Sequence, residues 1–325
     1  MVREGRYAAI DIGTVTCRML VADVSANPSG SIKIQQLAKE YAVTNLGEDV
    51  DKTRMLKPEA LQRVAVAVDG FREVLNGLDT PDHPIVDMLV MATSASRDAK
   101  NADEFVGLLA ERGLHLQVIS GDTEAMMSFI GASSSHTGEN VMVVDVGGGS
   151  TEVSVGVAGS KPTASHSFDI GCRRVTERFW DGYPPSAEAI DRAREWIHSE
   201  LDKRADLWES SEPTTMLAVA GTATSAVSIC EKMEVYDAER VDGSVVTLSQ
   251  LQEIERALAA MTLPELQHVT GLDPRRAPVI TAGMVILEEV MEAAFVSSFT
   301  ASESDILEGM IMYNAMTGYT GNSDE

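Results

Sequence analysis

The sequence is poor in the residues that mark the commoner kinds of site. Only three cysteines occur, Cys17, Cys172 and Cys230, far apart and odd in number. That argues against a disulfide framework and against a cysteine-rich zinc centre. The six histidines are scattered and form no HExxH pair, so they read as surface or structural residues. There is no GxSxG elbow for a serine nucleophile. A GxxxxGK followed by Ser or Thr is also absent, which removes a P-loop nucleotidase. No apolar run approaches the ~20 residues of a membrane span, and the opening MVREGRYAAIDIG lacks a signal-peptide pattern. A cytoplasmic protein without a membrane partner is the expectation. Positive charge is scarce: 26 Lys+Arg against 50 Asp+Glu leave a net charge of −24. Such a balance disfavours nucleic acid as a partner and repels a phosphorylated substrate at long range. An anionic ligand must then be held locally, by turn amides, helix N-termini, a few arginines and bound cations.

What is present centres on Val141–Val157, VMVVDVGGGSTEVSVGV. An apolar β-branched run ends at Asp145, a triple-glycine turn follows, and a second β run returns through Glu152. The run reads as a buried strand, and the glycines suggest a tight reversal with positive φ. Bare amides in the turn can reach phosphate oxygens directly. With the carboxylates of Asp145 and Glu152, they suit a phosphate held together with a divalent cation. A hairpin with merely structural glycines would look partly similar. The turn enters a strand and not a helix, so it is not a dinucleotide fingerprint.

Ala8–Val24, AAIDIGTVTCRMLVADV, echoes that stretch. Superposing Asp11 on Asp145 places Gly13 on Gly147, Thr16 on Ser150 and Arg18 on Glu152. Thr14 and Thr16 add hydroxyls to the first turn. Two copies of one hairpin imply two similar lobes, each offering a phosphate-binding turn to a shared cleft, and 325 residues suit two domains.

Between and after the hairpins, strand-like and helical patterns alternate, as in an α/β fold. A helix is expected over Lys57–Leu78 with Pro58 in its first turn. After a strand at Val86–Ala92, the stretch ATSASRDAKNADEF runs into a helix ending near Gly113. SGDTEAMMSFIGA opens another at Ser120–Asp122. The polar ASSSHTGEN (Ala132–Asn140) reads as the connection between lobes. In the second half, Ser249 reads as the cap of a helix to Ala260, and Ser304–Thr317 as the final helix before a frayed tail at Gly318–Glu325.

Residues at the carboxyl ends of such strands are where ligands bind in α/β sheets. Arg97 lies there, with a fork able to grip phosphate oxygens or to pair with a carboxylate. Glu124, in the first turn of its helix, can complement the helix dipole or orient and deprotonate a water. Position alone leaves both pairs of readings open.

Taken together, IDIGTVTCRML, ATSASRDAKNADEF, ISGDTEA, VVDVGGGSTEVSVG, DIGCRRVTERF, GTATS and RRAPVITAGMVIL resemble the exopolyphosphatase and guanosine pentaphosphate phosphohydrolase family. That family sits within the actin, sugar kinase and Hsp70 superfamily. The resemblance implies two ribonuclease-H-like lobes, residues 1–132 and 133–301, with an active-site cleft between them and a last helix near 302–319 packing back on the first lobe. It implies hydrolysis of a terminal phosphoanhydride by water, assisted by magnesium or manganese. Glu124 matches the family's catalytic glutamate. Asp11, Asp145 and Glu152 match carboxylates associated with metal and water. Gly13, Thr14, Arg18, Arg97, Gly147, Gly148, Gly149 and Ser150 match phosphate-facing positions. The implied substrate is inorganic polyphosphate, short-chain because longer relatives carry a further C-terminal region, or a phosphorylated guanosine nucleotide. A homodimer is expected from the family. Val15 departs from the family's usual Asn, which admits a third reading, a sensor that binds a phosphorylated alarmone with little turnover.

Overall fold

In the computed structural model, which describes residues 2–26, 32–209 and 215–319, the chain divides into two units. One is Met1–Gly131 with Ser304–Glu325, the other Ala132–Glu303. Residues 320–325 of the expected tail lie outside the described residues. The first unit opens with β1 (Gly5–Ile12), β2 (Thr16–Ala26) and β3 (Ile32–Val43), followed by α1 (Val50–Thr53), α2 (Pro58–Leu78), β4 (Ile85–Ala92), α3 (Ser94–Asp98), α4 (Ala102–Ala110), β5 (Leu116–Val118) and α5 (Gly121–Ala132). Its sheet has the order β3-β2-β1-β4-β5, antiparallel through the first three strands and parallel at β1–β4 and β4–β5.

The two-residue period of β1 and β2 sorts their side chains into two layers. Ala8, Ile10 and Ile12 join Cys17, Met19 and Val21 under α2 and α4, whose buried residues include Val64, Val68 and Phe105. Tyr7 and Ala9 join Leu20, Ala22 and Val24 on the other face. Asp11 and Arg18 have the parity of that second set, so they point into the layer that α5 and the end of the chain cover.

One helix was expected from the end of β4 to near Gly113; the chain makes two, α3 and α4. The break is built by contacts from far upstream. Lys100 N donates to Arg54 O, and the Asn101 side chain both accepts from Leu56 N (2.8 Å) and donates to Leu56 O (3.0 Å). No local pattern announces those partners.

The second unit runs β6 (Asn140–Val146), β7 (Thr151–Val157), β8 (Ala164–Phe168), α6 (Cys172–Phe179), α7 (Ala187–Leu201), α8 (Asp206–Glu209), β9 (Thr215–Val219), α9 (Ala220–Cys230), α10 (Ala238–Val241), β10 (Val245–Thr247), α11 (Leu248–Ala259), α12 (Leu263–Leu266), α13 (Ala277–Ala293) and β11 (Ser298–Ala301). The sheet order β10-β11-β9-β6-β7-β8 repeats the first unit's order, with β10 added at one edge. Helix α11 begins earlier than Ser249: Thr247 accepts from Gln250 N, and Gln250 returns the bond in a capping box.

Helix α13 is buried without interruption from Val279 to Met291, as befits a helix at the centre of a layer. That run includes Glu288 and Glu289, and α7 supplies Arg194 to meet them, at 2.8 Å and 2.7 Å. Glu255 from α11 stands 3.6 Å from the same guanidinium, and His198 3.8 Å from Glu289. Burial pushes the Glu288 carboxyl up to about 7 against the pull of Arg194, with Glu255 and Glu292 adding repulsion. Its Oε1 is buried with no hydrogen-bond partner among the described residues. Folded Glu288 therefore keeps a proton that the unfolded chain gives up near pH 4.5. Stability from this group is fully present below pH 4.5 and is lost as pH rises toward 7. Glu288→Gln should flatten that slope and stabilise the chain at pH 7.5 by roughly 1–3 kcal/mol relative to its effect at pH 5. Thermal denaturation of both proteins at the two pH values checks this, and parallel slopes would refute it.

The chain then returns to the first unit as α14 (Ile306–Thr317). Ile306, Leu307, Met310, Ile311 and Ala315 complete the layer begun by Tyr7 and Leu20. The crossing with α5 is close at two glycines. A Cβ on Gly131 would lie 1.9 Å from Asp305 O, and one on Gly309 1.9 Å from Met127 O.

Candidate active site

The two hairpins close in the same way. Gly13 N donates to Thr16 O at 2.8 Å and Gly147 N to Ser150 O at 3.0 Å. Neither turn contains a positive-φ glycine, which for the triple-glycine turn is contrary to the expectation from the sequence. Space explains the residue better. A Cβ would stand 3.3 Å from Thr16 O at Gly13 and 3.1 Å from Ser150 O at Gly147.

Register then gives the two hairpins opposite chemistry. Asp11 lies directly across from Arg18, and Asp145 directly across from Glu152. In the first hairpin Asp11 Oδ2 accepts from Arg18 Nη2 at 2.8 Å and Nε at 3.2 Å. Arg18 Nη1 also donates to Asp305 Oδ2. Burial pushes the Asp11 carboxyl up, and Arg18 only partly offsets this. Burial also works against the Asp305 carboxylate, yet the charges of Arg18 and Lys39 hold it below the usual range. In the second hairpin Asp145 and Glu152 are both buried, and Glu152 Oε1 accepts from Ser167 Oγ at 2.6 Å. Like charges directly across an antiparallel pair cost stability unless a positive charge offsets them.

The second turn is fixed from behind. Cys172 N donates to Gly147 O (3.0 Å), Arg173 N to Gly148 O (2.9 Å), and Arg174 Nε to Gly149 O (2.9 Å). With its carbonyls bound to the start of α6, the turn's conformation is set by the protein itself. Ser150, the last residue of the turn, is buried.

In the first unit, parallel pairing of β4 with β5 brings α3 and α5 side by side at the carboxyl edge of the sheet. Arg97 on α3 donates through Nη1 to Glu124 Oε2 at 2.7 Å and to Ile119 O at 3.0 Å. The structure shows the second reading of Arg97: it pairs with a carboxylate, and that carboxylate is Glu124. Glu124 is 8% exposed, and its backbone N–H bonds to Ser120 O in a first helical turn, which favours negative charge. Thr14 is buried, with its carbonyl accepting from Gly47 N. Val15 is buried as well, its carbonyl accepting from Thr44 N and Asn45 N.

Sequence reasoning passed over Gly171, Arg174, Arg276 and Asp305. Arg276 lies across the start of α9, so close that a Cβ on Gly221 would stand 1.2 Å from its Nη1. The basic pair after Gly171 was a legible signal for Arg174. Asp305 gave none.

Among the described residues, no group of three or more His, Cys, Asp and Glu side chains is arranged to hold a metal ion. The two facing carboxylates Asp145 and Glu152 do suit magnesium, which takes one or two protein carboxylates and fills its shell with water and phosphate. They do not suit a structural zinc.

A profile of the Ppx/GppA phosphatase family matches residues 21–317. The chain belongs to that family. It is 34% identical over 319 residues to an exopolyphosphatase 2 of Mycobacterium tuberculosis, covering 94% of this chain and 98% of that protein. It is also 34% identical over 313 residues to a bifunctional 3-dehydroquinate synthase/phosphatase of Fusobacterium nucleatum, where it spans 46% of the relative's length. Among solved structures, an exopolyphosphatase-like protein superposes with a TM-score of 0.87 at 31% identity, covering 96% of this chain and 98% of that one. Ppx/GppA membership makes the chain a hydrolase of phosphoanhydrides with the two-lobed, actin-like ATPase type of α/β fold. No helix among the described residues is long and apolar enough to cross a membrane.

Proposed function

We propose that the chain is an exopolyphosphatase that releases orthophosphate from the end of short inorganic polyphosphate, with Glu124 as the base for the attacking water. The observation that carries this reading is the state of Glu124: a buried carboxylate held by Arg97 at the mouth of a helix, on a chain 34% identical to an exopolyphosphatase. Phosphoryl transfer to water asks the protein for an aligned nucleophile and for neutralisation of charge on the transferred oxygens. Glu124 supplies alignment and takes the proton at its carboxylate. The amides of Gly147–Ser150, held by α6, cradle phosphate oxygens, and Gly13 and Thr14 do the same in the first unit. Arg97 has a double duty, fixing Glu124 and placing positive charge near the phosphate. Asp145 and Glu152 would hold magnesium, or manganese, which when bound supplies positive charge to the phosphate and polarises its oxygens. The net charge of −24 favours a short chain, since every added phosphate raises the repulsion at long range.

The test is orthophosphate release by the purified chain with magnesium, on short polyphosphate, long polyphosphate, guanosine pentaphosphate and ATP. Release chiefly from short polyphosphate is expected. Release chiefly from guanosine pentaphosphate would transfer the activity to the nucleotide. Binding without release from any of the four would favour a sensor and turn attention to Val15.

A further inference from the structure

Helix α14 begins with a residue for which the proposed reaction has no use. Asp305 is its N-cap and is 4% exposed. Capping occupies one carboxylate oxygen: Oδ1 accepts from Leu307 N at 3.0 Å, while Asp305 N donates to Glu308 Oε2 at 2.9 Å. The other oxygen, Oδ2, accepts from Arg18 Nη1, and the rest of that guanidinium fork grips Asp11. A relay Asp305–Arg18–Asp11, its two carboxylates buried, thus joins residue 305 to the end of β1, two residues before Gly13. Capping needs no charge, since Asn and Ser cap as well as Asp. The charge on Asp305 serves Arg18. A guanidinium that gives Nε and Nη2 to Asp11 and Nη1 to Asp305 is built as a clamp between the two carboxylates.

The same residue touches the helix that bears Glu124. Gly131 abuts the carbonyl of Asp305, and Gly309 abuts that of Met127. Glu124 lies seven residues before Gly131, hence two turns away on the same face of α5.

We propose that Asp305 is a positioning residue of the hydrolytic site: through Arg18 it fixes Asp11 and the Gly13–Thr16 turn. Arg18 acts as the link between the two carboxylates. The kinetic part of this inference rests on the exopolyphosphatase reading; its structural part does not.

Asp305→Asn in the full chain keeps the cap and removes the charge that holds Arg18. Amide exchange in the peptide Ile12–Cys17, followed by mass spectrometry without substrate, should speed up at least tenfold. In orthophosphate release from short polyphosphate, kcat should fall at least tenfold while KM stays within about twofold. Asp305→Ser, a second capping residue without charge, should behave alike and stands in if the Asn variant fails to fold. Wild-type exchange and wild-type kcat in a folded variant would overturn the proposal. So would a fall in kcat without faster exchange, or a rise in KM alone, which would make the pair a binding element. If the unmodified chain released no orthophosphate, the functional reading would fail by itself, and exchange would still decide the role of Asp305.

Discussion

Glu124→Gln should lower kcat for orthophosphate release by about 10²–10⁴-fold, the usual span for removing a general base. KM should move by no more than a few-fold. The amide keeps the size of the side chain and can still accept from Arg97 Nη1, which now holds Oε2 at 2.7 Å. What it loses is the ability to take a proton from water. Glu124→Ala removes the bond to Arg97 as well, leaving Arg97 with Ile119 O and a freer guanidinium near the phosphate. The Ala variant should therefore match the Gln variant in kcat and show an equal or lower KM. A rise in KM in both variants with kcat intact would give Glu124 a role in binding. Turnover near wild type in either would remove it from the chemistry. Thermal denaturation separates these outcomes from misfolding: the Ala variant, which leaves Arg97 without its buried carboxylate partner, should melt below the Gln variant, which keeps an acceptor.

Local devices were legible in the sequence. Superposing the two hairpin sequences places Asp11 on Asp145 and Arg18 on Glu152; that each pair lies directly across its hairpin follows only once the turn sets the register. Pro58 at a helix start and the connection near Ala132 are equally local. Long-range devices were not legible. The end of α3 is fixed by Arg54 and Asn101 acting on distant backbone, and Arg18 finds Asp305 across 287 positions. The short strands β10 and β11 carry too few residues to show a period, and they exist because β9 offers an edge to β11, and β11 in turn to β10. The cap of α11 was placed on Ser249 when Thr247 had the reciprocal Gln250 three residues on, a pattern that was there to be read.

Chemical roles divided along the same line. Arg97 could be read as gripping either a phosphate or a carboxylate, and only folding brings Glu124 to it. The motif puts Arg18 at a phosphate-facing place, and the alternation of β1 and β2 turns it toward the layer that α14 fills, where it meets Asp305. The triple-glycine turn suggests positive φ by residue type, yet none of its glycines has it, and what Gly147, like Gly13 in the first turn, supplies is room beside a carbonyl.

That distinction makes Gly171 a glycine where space alone, beside the second turn, decides the outcome. Its φ of −139° and ψ of 155° are open to any residue, so Gly171→Ala meets no conformational barrier. Space is the obstacle: the new Cβ would lie 2.3 Å from Gly148 O and 2.4 Å from the carbonyl carbons of Gly148 and Gly149. All three are backbone atoms, and no rotamer change moves them aside. Either the Gly147–Ser150 turn or the start of α6 must shift, and the bonds from Cys172, Arg173 and Arg174 tie the two together. Overpacking of this kind costs about 1–3 kcal/mol, a loss the unit survives. A displacement of about 1 Å in groups that hold the reacting phosphate costs on the order of 100-fold in rate. Gly171→Ala should therefore stay folded at assay temperature and lose about 100-fold in kcat/KM. Gly182→Ala, where a Cβ meets nothing within 4 Å, is the matched control and should keep full activity. Equal activity of the two variants would show that the turn is not part of the machinery, and the phosphate cradle would have to be sought elsewhere in the chain.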